Sequence, residues 1–228
     1  MKASLNPRIK ICCIGSVEEA ALAVEAGASA LGLVSHMPSG PGVISEELIA
    51  EIAASVPPSI GTFLLTCLQS VDEIIAQQRT CRTNTVQICD RLTHGTHAEL
   101  KQALPGIAIV QVIHVTGPES VDEAVAISSQ VDALLLDSGN QTLAVKELGG
   151  TGRIHDWALS RLIRERIRIP MFLAGGLKPE NVAQAIEEVA PFGLDLCSGV
   201  RTNGKLDPGK LGRFFSSLWA ASRQEGQR

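Results

Sequence analysis

Short apolar runs alternate along this chain with stretches whose apolar residues recur at helical spacing. The runs fall at 9–13, 30–34, 60–65, 85–88, 107–115, 133–137, 170–174 and 193–197, and their length and bounding turn residues predict strands. Between them, 17–25, 46–55, 121–129 and 179–189 carry apolar positions three and four apart and predict helices, as does 208–221 near the end. Lys and Arg interleave with Leu and Ile over 161–168, the pattern of a helix with a solvated face. The strand runs rarely alternate cleanly between apolar and polar. Leu134-Leu135-Leu136 is the plainest case, and such runs indicate parallel strands covered on both faces.

Eight strands, each followed by a helix or a plausible helix, in a chain of 228 residues fit a compact α/β fold, the single-domain (β/α)8 TIM barrel. A doubly wound sheet is the alternative, but no G-x-G-x-x-G loop follows the first strand. No linker or composition shift divides the chain, so one barrel domain is expected over 1–228, with the polar segment 222–228 as a frayed tail.

Composition narrows the function classes. Apolar residues make up 45% of the chain and charged residues 19%, with a net charge of -4. No Lys/Arg cluster suited to a phosphate backbone is present, which argues against nucleic acid as a partner. No apolar run is long enough to span a bilayer, so no membrane partner is expected. The stretch after the polar residues 1–7 is too short for a signal-peptide core, and a cytoplasmic location is the expectation. The six cysteines are scattered without metal-ligand spacing, which makes reduced thiols the default and gives no metal site.

In a barrel of this class the chemistry sits where strands end and βα loops begin. Cys12 and Cys13 close the first strand, Asp137 the sixth, and Cys197 the eighth. Leu173-Ala174-Gly175-Gly176-Leu177-Lys178 reads as strand seven running into a glycine turn and a helix start, and Cys197-Ser198-Gly199 as a second small-residue turn one strand later. Either loop alone reads as a tight turn. Together, after strands seven and eight, they point to a phosphate cup of Gly175, Gly176, Ser198 and Gly199. The flexible run Gly149-Gly150-Thr151-Gly152 is suited to closing over a ligand, which adds Gly150 and Gly152 to the binding positions. A cysteine ending a strand is commonly a small core residue. A carboxylate ending Ala133-Leu134-Leu135-Leu136 is harder to explain without a partner or a ligand.

The ordered set Lys10-Ile11-Cys12, Glu25-Ala26-Gly27-Ala28, Val86-Gln87, Leu135-Leu136-Asp137-Ser138, Gly149-Gly150-Thr151-Gly152, Asp156-Trp157, Gly175-Gly176-Leu177-Lys178-Pro179-Glu180-Asn181-Val182 and Asp195-Leu196-Cys197-Ser198-Gly199-Val200 resembles phosphoribosylanthranilate isomerase. The likeness covers nearly the whole chain. It implies an Amadori rearrangement in tryptophan synthesis, in which N-(5-phosphoribosyl)anthranilate becomes the 1-deoxyribulose 5-phosphate isomer. By that resemblance Cys12 is the general base at C2 and Asp137 the general acid at the ribose ring oxygen. The substrate is a phosphorylated small molecule, no cofactor is needed, and the protein is a monomer or homodimer. A general acid calls for a raised carboxyl pKa, and a thiol base for a value below the ordinary ~8.5. Lys10, on the same strand face as Cys12, is a possible helper or else a charge in the barrel floor.

The sequence departs from the family pattern in four places. Cys13 stands where the family has glycine, offering a second thiol. Gly42 falls where a substrate-binding arginine is expected, a loss that costs affinity for a carboxylate. Cys89-Asp90 replaces a His-Gly pair after strand four, with Arg91 next and His94-Gly95 further on, so Arg91 is a possible substitute cation or a solvated loop residue. Arg201 stands where an acid is common. His36 and His114 also close strands, where a partly buried structural role is the simpler account. Two further readings therefore stay open: an isomerase of another phosphorylated sugar or aminosugar, and a non-catalytic phosphate-ligand barrel.

Overall fold

The computed structural model describes residues 7–225. Strands β1 (Arg8–Ile11), β2 (Ala30–Val34), β3 (Gly61–Thr66), β4 (Thr85–Ile88), β5 (Ala108–His114), β6 (Ala133–Asp137), β7 (Met171–Leu173) and β8 (Gly193–Leu196) pair in sequence order and close through β8 against β1. All eight contacts around the ring are parallel. The helices between them are α1 (Val17–Ala26), α2 (Glu46–Ser55), α3 (Val71–Cys81), α4 (His97–Ala103), α5 (Glu119–Ser128), α6 (Trp157–Arg166) and α7 (Val182–Val189), with α8 (Pro208–Glu225) after the last strand. The fold is the (β/α)8 barrel. A doubly wound sheet is excluded because that sheet is open and this one is closed.

The missing alternation in the strands has a direct cause. Ile9, Ile11, Leu31, Leu33, Leu134 and Leu136 face outward into the layer under the helices. Ala30, Phe63, Leu65, Val112, Leu135 and Phe172 face inward and fill the barrel. Both faces are apolar because both are buried. Phe172 anchors the inner layer edge-on between Phe63 and Phe192, with ring centroids 5.7 and 5.5 Å away.

Local signals set the helix ends. Ser16 and Ser45 accept hydrogen bonds from the Glu19 and Leu48 amides and start α1 and α2. Thr96 and Glu99 form a capping box on α4, which satisfies otherwise orphan amides. Helices α3 and α4 escape a reading of apolar periodicity for definite reasons. The first buries Gln77 and Gln78 beside Val71 and Ile74, and the second is 7 residues long with only His97 and Leu100 buried. Helix α7 begins at Val182 rather than 179, because Asn181 caps the turn before it: its side chain accepts from the Lys178 amide and donates to the Gly176 carbonyl. Helix α8 runs to Glu225, beyond the 221 that periodicity suggests, so the expected frayed tail begins inside a helix. Residues 226–228 lie outside the described residues.

One polar clamp ties the ends of the sheet to the helix layer. The buried Arg201 guanidinium pairs with Glu19 of α1 at 3.0 Å and donates to the Cys12 and Cys13 carbonyls at 3.3 and 2.5 Å. Glu19 also accepts from the Leu206 and Gly15 amides. Burial works against the Glu19 charge, but Arg201 and these amides together hold its carboxyl below the ordinary glutamate range. The residue that departs from the family pattern at 201 therefore has its own partner on α1. Replacing Arg201 by Met is expected to cost roughly 3 kcal/mol in urea unfolding, because it strands a partly buried carboxylate. A lowered folded pKa stabilises above the unfolded value, near ~4.3, and that stabilisation is lost as pH falls through the folded one. The parent should therefore lose more stability on acidification than Arg201→Met; parallel acid limbs would refute the clamp.

Candidate active site

The C-terminal ends of the strands enclose a cavity of about 730 Å³, counted out to its open mouth. One wall is apolar, made by Val34, Met37, Leu65, Val112, Leu135 and Leu148. The rest of the lining is largely small residues from the loops after β6, β7 and β8. The lining contains Cys12, Cys13, Asp137, Gly150, Gly152, Gly175, Gly176 and Ser198. Eight of the eleven positions singled out from the sequence are thus brought to one place.

Cys12 and Asp137 enter the cavity from different strands. Going round the barrel from β1, β8 and β7 come before β6, so the thiol and the carboxylate flank the two loops with the phosphate-type turns. Asp137 is 6% exposed. One of its oxygens accepts the Ser138 amide at 2.8 Å. The other, Oδ2, points at Gly149, where a Cβ would stand 2.9 Å away. The loop after β6 is fastened over this point by the Ser138 and Thr151 hydroxyls, 2.6 Å apart.

Beneath Cys12 lies a buried ion pair. Lys10, wholly inaccessible, meets Asp195 at 2.9 Å, and the two are register partners across the β1–β8 seam. Burial opposes the lysine charge, but Asp195 and then the Cys12 sulfur outweigh it and raise the Lys10 pKa. Room for this arrangement comes from Gly32 on β2. A Cβ there would lie 2.8 Å from the Cys12 sulfur and 3.1 Å from Lys10 Nζ. Lys10 is thus in the floor below the site and does not line the cavity. Asp195, which does, was not singled out from the sequence; a lysine on the inner face of β1 calls for a carboxylate at the neighbouring register position, and that signal was available.

The small-residue wall is built by close approach. Gly199 does not line the cavity; a Cβ on it would sit 2.1 Å from the Leu177 carbonyl oxygen, so glycine lets the loops after β7 and β8 pack against each other. A Cβ on Gly152 would lie 3.4 Å from the Ser198 hydroxyl, which joins the β6 loop to the same rim. His155 lies just behind: a Cβ on Gly175 would come 3.2 Å from its Nδ1, and burial holds the imidazole pKa low against the pull of Asp137 and Asp156. Asn181 braces the glycine turn through the bonds given above. It stood in the motif but carried no assigned role, because capping a turn leaves no mark beyond residue type.

The departures from the family pattern also find places. Cys13 takes a left-handed backbone (φ +63) and lies against Gly42, where a Cβ would be 2.5 Å from the Cys13 Cβ and 3.0 Å from its sulfur. The Cys13 side chain and its Cα both press on side-chain space at 42, so the two departures are in direct contact. Arg91 is not a substitute cation at the site. It extends over the surface to Glu123 of α5 at 2.9 Å, with two thirds of its side chain exposed. His94 and Gly95 sit at the start of α3, where the His94 carbonyl accepts the Val71 amide, away from the cavity. His114 is buried, with its Nε2 2.9 Å from the Cys89 carbonyl, and His36 is exposed. Neither lines the cavity.

A closed barrel whose strand-end cavity is lined by a thiol, a carboxylate and several glycines has the architecture of a barrel enzyme. Comparison with known proteins narrows the class. The profile of the N-(5'-phosphoribosyl)anthranilate (PRA) isomerases matches residues 9–217. The chain is 37% identical over 209 residues to N-(5'-phosphoribosyl)anthranilate isomerase 2 of Methanosarcina mazei, covering 91% of this chain and 92% of that one. It is 35% identical to the enzyme of that name from Methanothrix thermoacetophila, covering 91% and 95%. Among solved structures, phosphoribosyl anthranilate isomerase from Thermotoga maritima superposes with a TM-score of 0.78 at 28% identity, covering 94% of this chain and 99% of that one. A further phosphoribosyl anthranilate isomerase structure, at TM-score 0.75 and 27% identity with the same coverage, holds reduced 1-(o-carboxyphenylamino)-1-deoxyribulose 5-phosphate. The chain belongs to the phosphoribosylanthranilate isomerase family.

The contact between positions 13 and 42 predicts a coupling. Gly42→Ala is expected to destabilise the parent by roughly 1–3 kcal/mol, from the clash and from the left-handed backbone at 42. In a Cys13→Gly background the contacts with the Cys13 Cβ and sulfur are gone, leaving the 2.9 Å approach to the Cα of residue 13 and the backbone strain. Denaturant unfolding of the four proteins in the cycle should give a coupling of about 1 kcal/mol; equal costs in both backgrounds would show that Cys13 and Gly42 are independent.

Proposed function

We infer that this chain isomerises N-(5-phosphoribosyl)anthranilate to 1-(2-carboxyphenylamino)-1-deoxyribulose 5-phosphate, a step in tryptophan biosynthesis. The observation that carries the reading is the placement of Cys12 and Asp137 on either side of one cavity, in a chain of this isomerase family. An Amadori rearrangement needs a proton delivered to the ribose ring oxygen, so that the ring opens, and a proton taken from C2. Those two atoms lie on different sides of the sugar's anomeric carbon, and groups on different walls can reach both. Asp137 is assigned as the acid and Cys12 as the base.

The phosphate is assigned to the rim of Gly150, Gly152, Gly175, Gly176 and Ser198, with Gly199 shaping it. Backbone amides of glycine turns can approach an anion closely, and α7 directs its positive end toward this loop. Anchoring the phosphate between β6 and β1 centres the sugar between acid and base, which lowers the entropic part of the barrier. The aryl amine then faces the apolar wall of Val34, Met37, Leu65 and Val112. A related structure holds reduced 1-(o-carboxyphenylamino)-1-deoxyribulose 5-phosphate, a ligand with both a phosphate and an aryl end.

A second reading rests on one specific observation. Among the described residues, none that lines the cavity is Lys, Arg or His, so the aryl carboxylate has no fixed cationic partner there. That favours a related aminosugar phosphate without the carboxylate. Assay of the purified protein separates the two. Consumption of phosphoribosylanthranilate supports the first, and its absence, with turnover of a carboxylate-free analogue, supports the second.

Cys12→Ser and Asp137→Asn are each expected to lower kcat by about 10²–10⁴-fold with little change in KM, since both groups act on protons in the transition state. Activity surviving both substitutions would remove these residues from catalysis.

A further inference from the structure

The mechanism uses one thiol, yet four cysteines line the cavity, Cys12, Cys13, Cys89 and Cys197. Cys13 and Cys197 both line the cavity, and their sulfurs are 2.9 Å apart across the seam between β1 and β8. Cys13 also hydrogen-bonds to the adjacent Cys12, but Cys197 reaches it from a different strand, and all six cysteines are free thiols. We propose that Cys13 and Cys197 are a redox-active pair, which a peroxide converts to a disulfide across the wall of the active site.

Geometry supports the pair in three ways. Forming the bond, about 2.05 Å long, requires the sulfurs to close by only about 0.9 Å. The left-handed backbone at Cys13 turns this residue out of line with Cys12 and toward the β8 loop. Gly42, having no side chain, leaves the space that the Cys13 thiol occupies. Access also fits, because Cys197 is half-buried on the cavity wall and a peroxide is only slightly larger than water.

Electrostatics then decides which sulfur reacts first. A hydrogen bond shared with Cys13, and after it the Arg201 charge, lower the Cys197 pKa in spite of burial. Cys13 moves the other way, through its hydrogen bonds to Cys12 and Cys197 and through burial, and stays protonated. The Cys197 thiolate therefore attacks one peroxide oxygen. The O–O bond breaks, hydroxide leaves and takes up a proton to become water, and Cys197 becomes a sulfenic acid. The Cys13 sulfur next attacks the sulfenyl sulfur. The S–S bond forms, the S–O bond breaks, and a second water leaves with the Cys13 proton. Two thiols are oxidised by two electrons and one peroxide is reduced to two waters.

The bond draws the segment that carries Cys12 against the loop that carries Ser198. Under the isomerase reading, on which this consequence alone rests, both the base and the phosphate rim are displaced. A shift of order 1 Å costs about a hundredfold in turnover.

The test is thiol counting and mapping on the full chain. The reduced protein is treated with hydrogen peroxide, the remaining thiols are alkylated under denaturing conditions, and digested peptides are analysed by mass spectrometry. Expected are four alkylated cysteines in place of six, a linked peptide joining Cys13 to Cys197, and full reversal by dithiothreitol. Isomerase turnover should fall about a hundredfold and return on reduction. Cys197→Ser, and separately Cys13→Gly, should abolish the linked peptide. Six alkylated thiols after treatment, a link through Cys12 instead, or conversion of Cys197 to sulfinic acid with Cys13 still free would each overturn the proposal. The linked peptide is read without any substrate. An inactive reduced protein would therefore count against the isomerase reading and leave the thiol pair standing on its own result.

Discussion

The seam between β1 and β8 is the constraint on which the rest depends. A barrel exists only if the last strand pairs with the first, and here the register of that pairing sets Lys10 beside Asp195 inside the barrel. Two charges in such a place are held at a desolvation cost that their attraction barely repays. The pair is therefore poor evidence of added stability and good evidence of placement. A slip of one residue on either strand would turn one charge into the apolar outer layer, a far worse state. The register that satisfies the charges is the same one that stands Cys12 above Lys10 and Cys197 above Asp195, at the mouth. Chemistry at the rim is thus fixed by electrostatics in the floor, with the Phe63 ring 5.3 Å from the ammonium and Gly32 leaving the necessary space.

Three of the four departures from the family pattern lie together beside this seam; the fourth, Cys89-Asp90, follows β4. The side chain at 13 lies against a bare backbone at 42. Arg201 fastens the carbonyls of Cys12 and Cys13 to α1, where an acidic residue would repel Glu19. These changes gather around the β1 and β8 loops and the loop that follows β2. They leave Asp137 and the glycine rim untouched. Such a pattern alters the shape and redox character of one side of the cavity while keeping the elements that proton transfer requires.

Much of the fold was legible in the sequence, for reasons that can be stated residue by residue. The bounds of β2, β4 and β6 are those the sequence predicts, in β2 because no position is polar and in β4 although Thr85 and Gln87 are. Helices α3 and α4 were illegible since their buried faces use Gln77, Gln78 and His97, which hydrogen-bond instead of packing as hydrocarbons. At the site, residues that end strands could be found, because a barrel converts strand ends into a rim. Residues that act through long-range pairing were harder to find, since their signal lies in a distant partner. Arg91 illustrates the limit: its charge suggested a ligand, and only its position above α5 shows that it serves Glu123. Asp195 and Arg201 illustrate the converse, since their partners lie 185 and 182 positions away in the chain.

The lining of the cavity adds a last constraint on the chemistry. A fixed ammonium or guanidinium beside the rim would bind phosphate strongly, but it would also favour the ionised form of any nearby carboxyl. Glycine amides and a helix terminus bind the same anion with partial charges that fall off within a turn. Building the cup from backbone therefore separates anion binding from the protonation of a neighbouring acid. With β6 on one side of the glycine turns and β1 on the other, that separation is what the proposed acid at Asp137 and base at Cys12 require in order to share one cavity. Two buried positive charges of this region, Lys10 and Arg201, are kept beneath and behind the wall and occupied by Asp195 and Glu19. They shape the site without meeting the ligand.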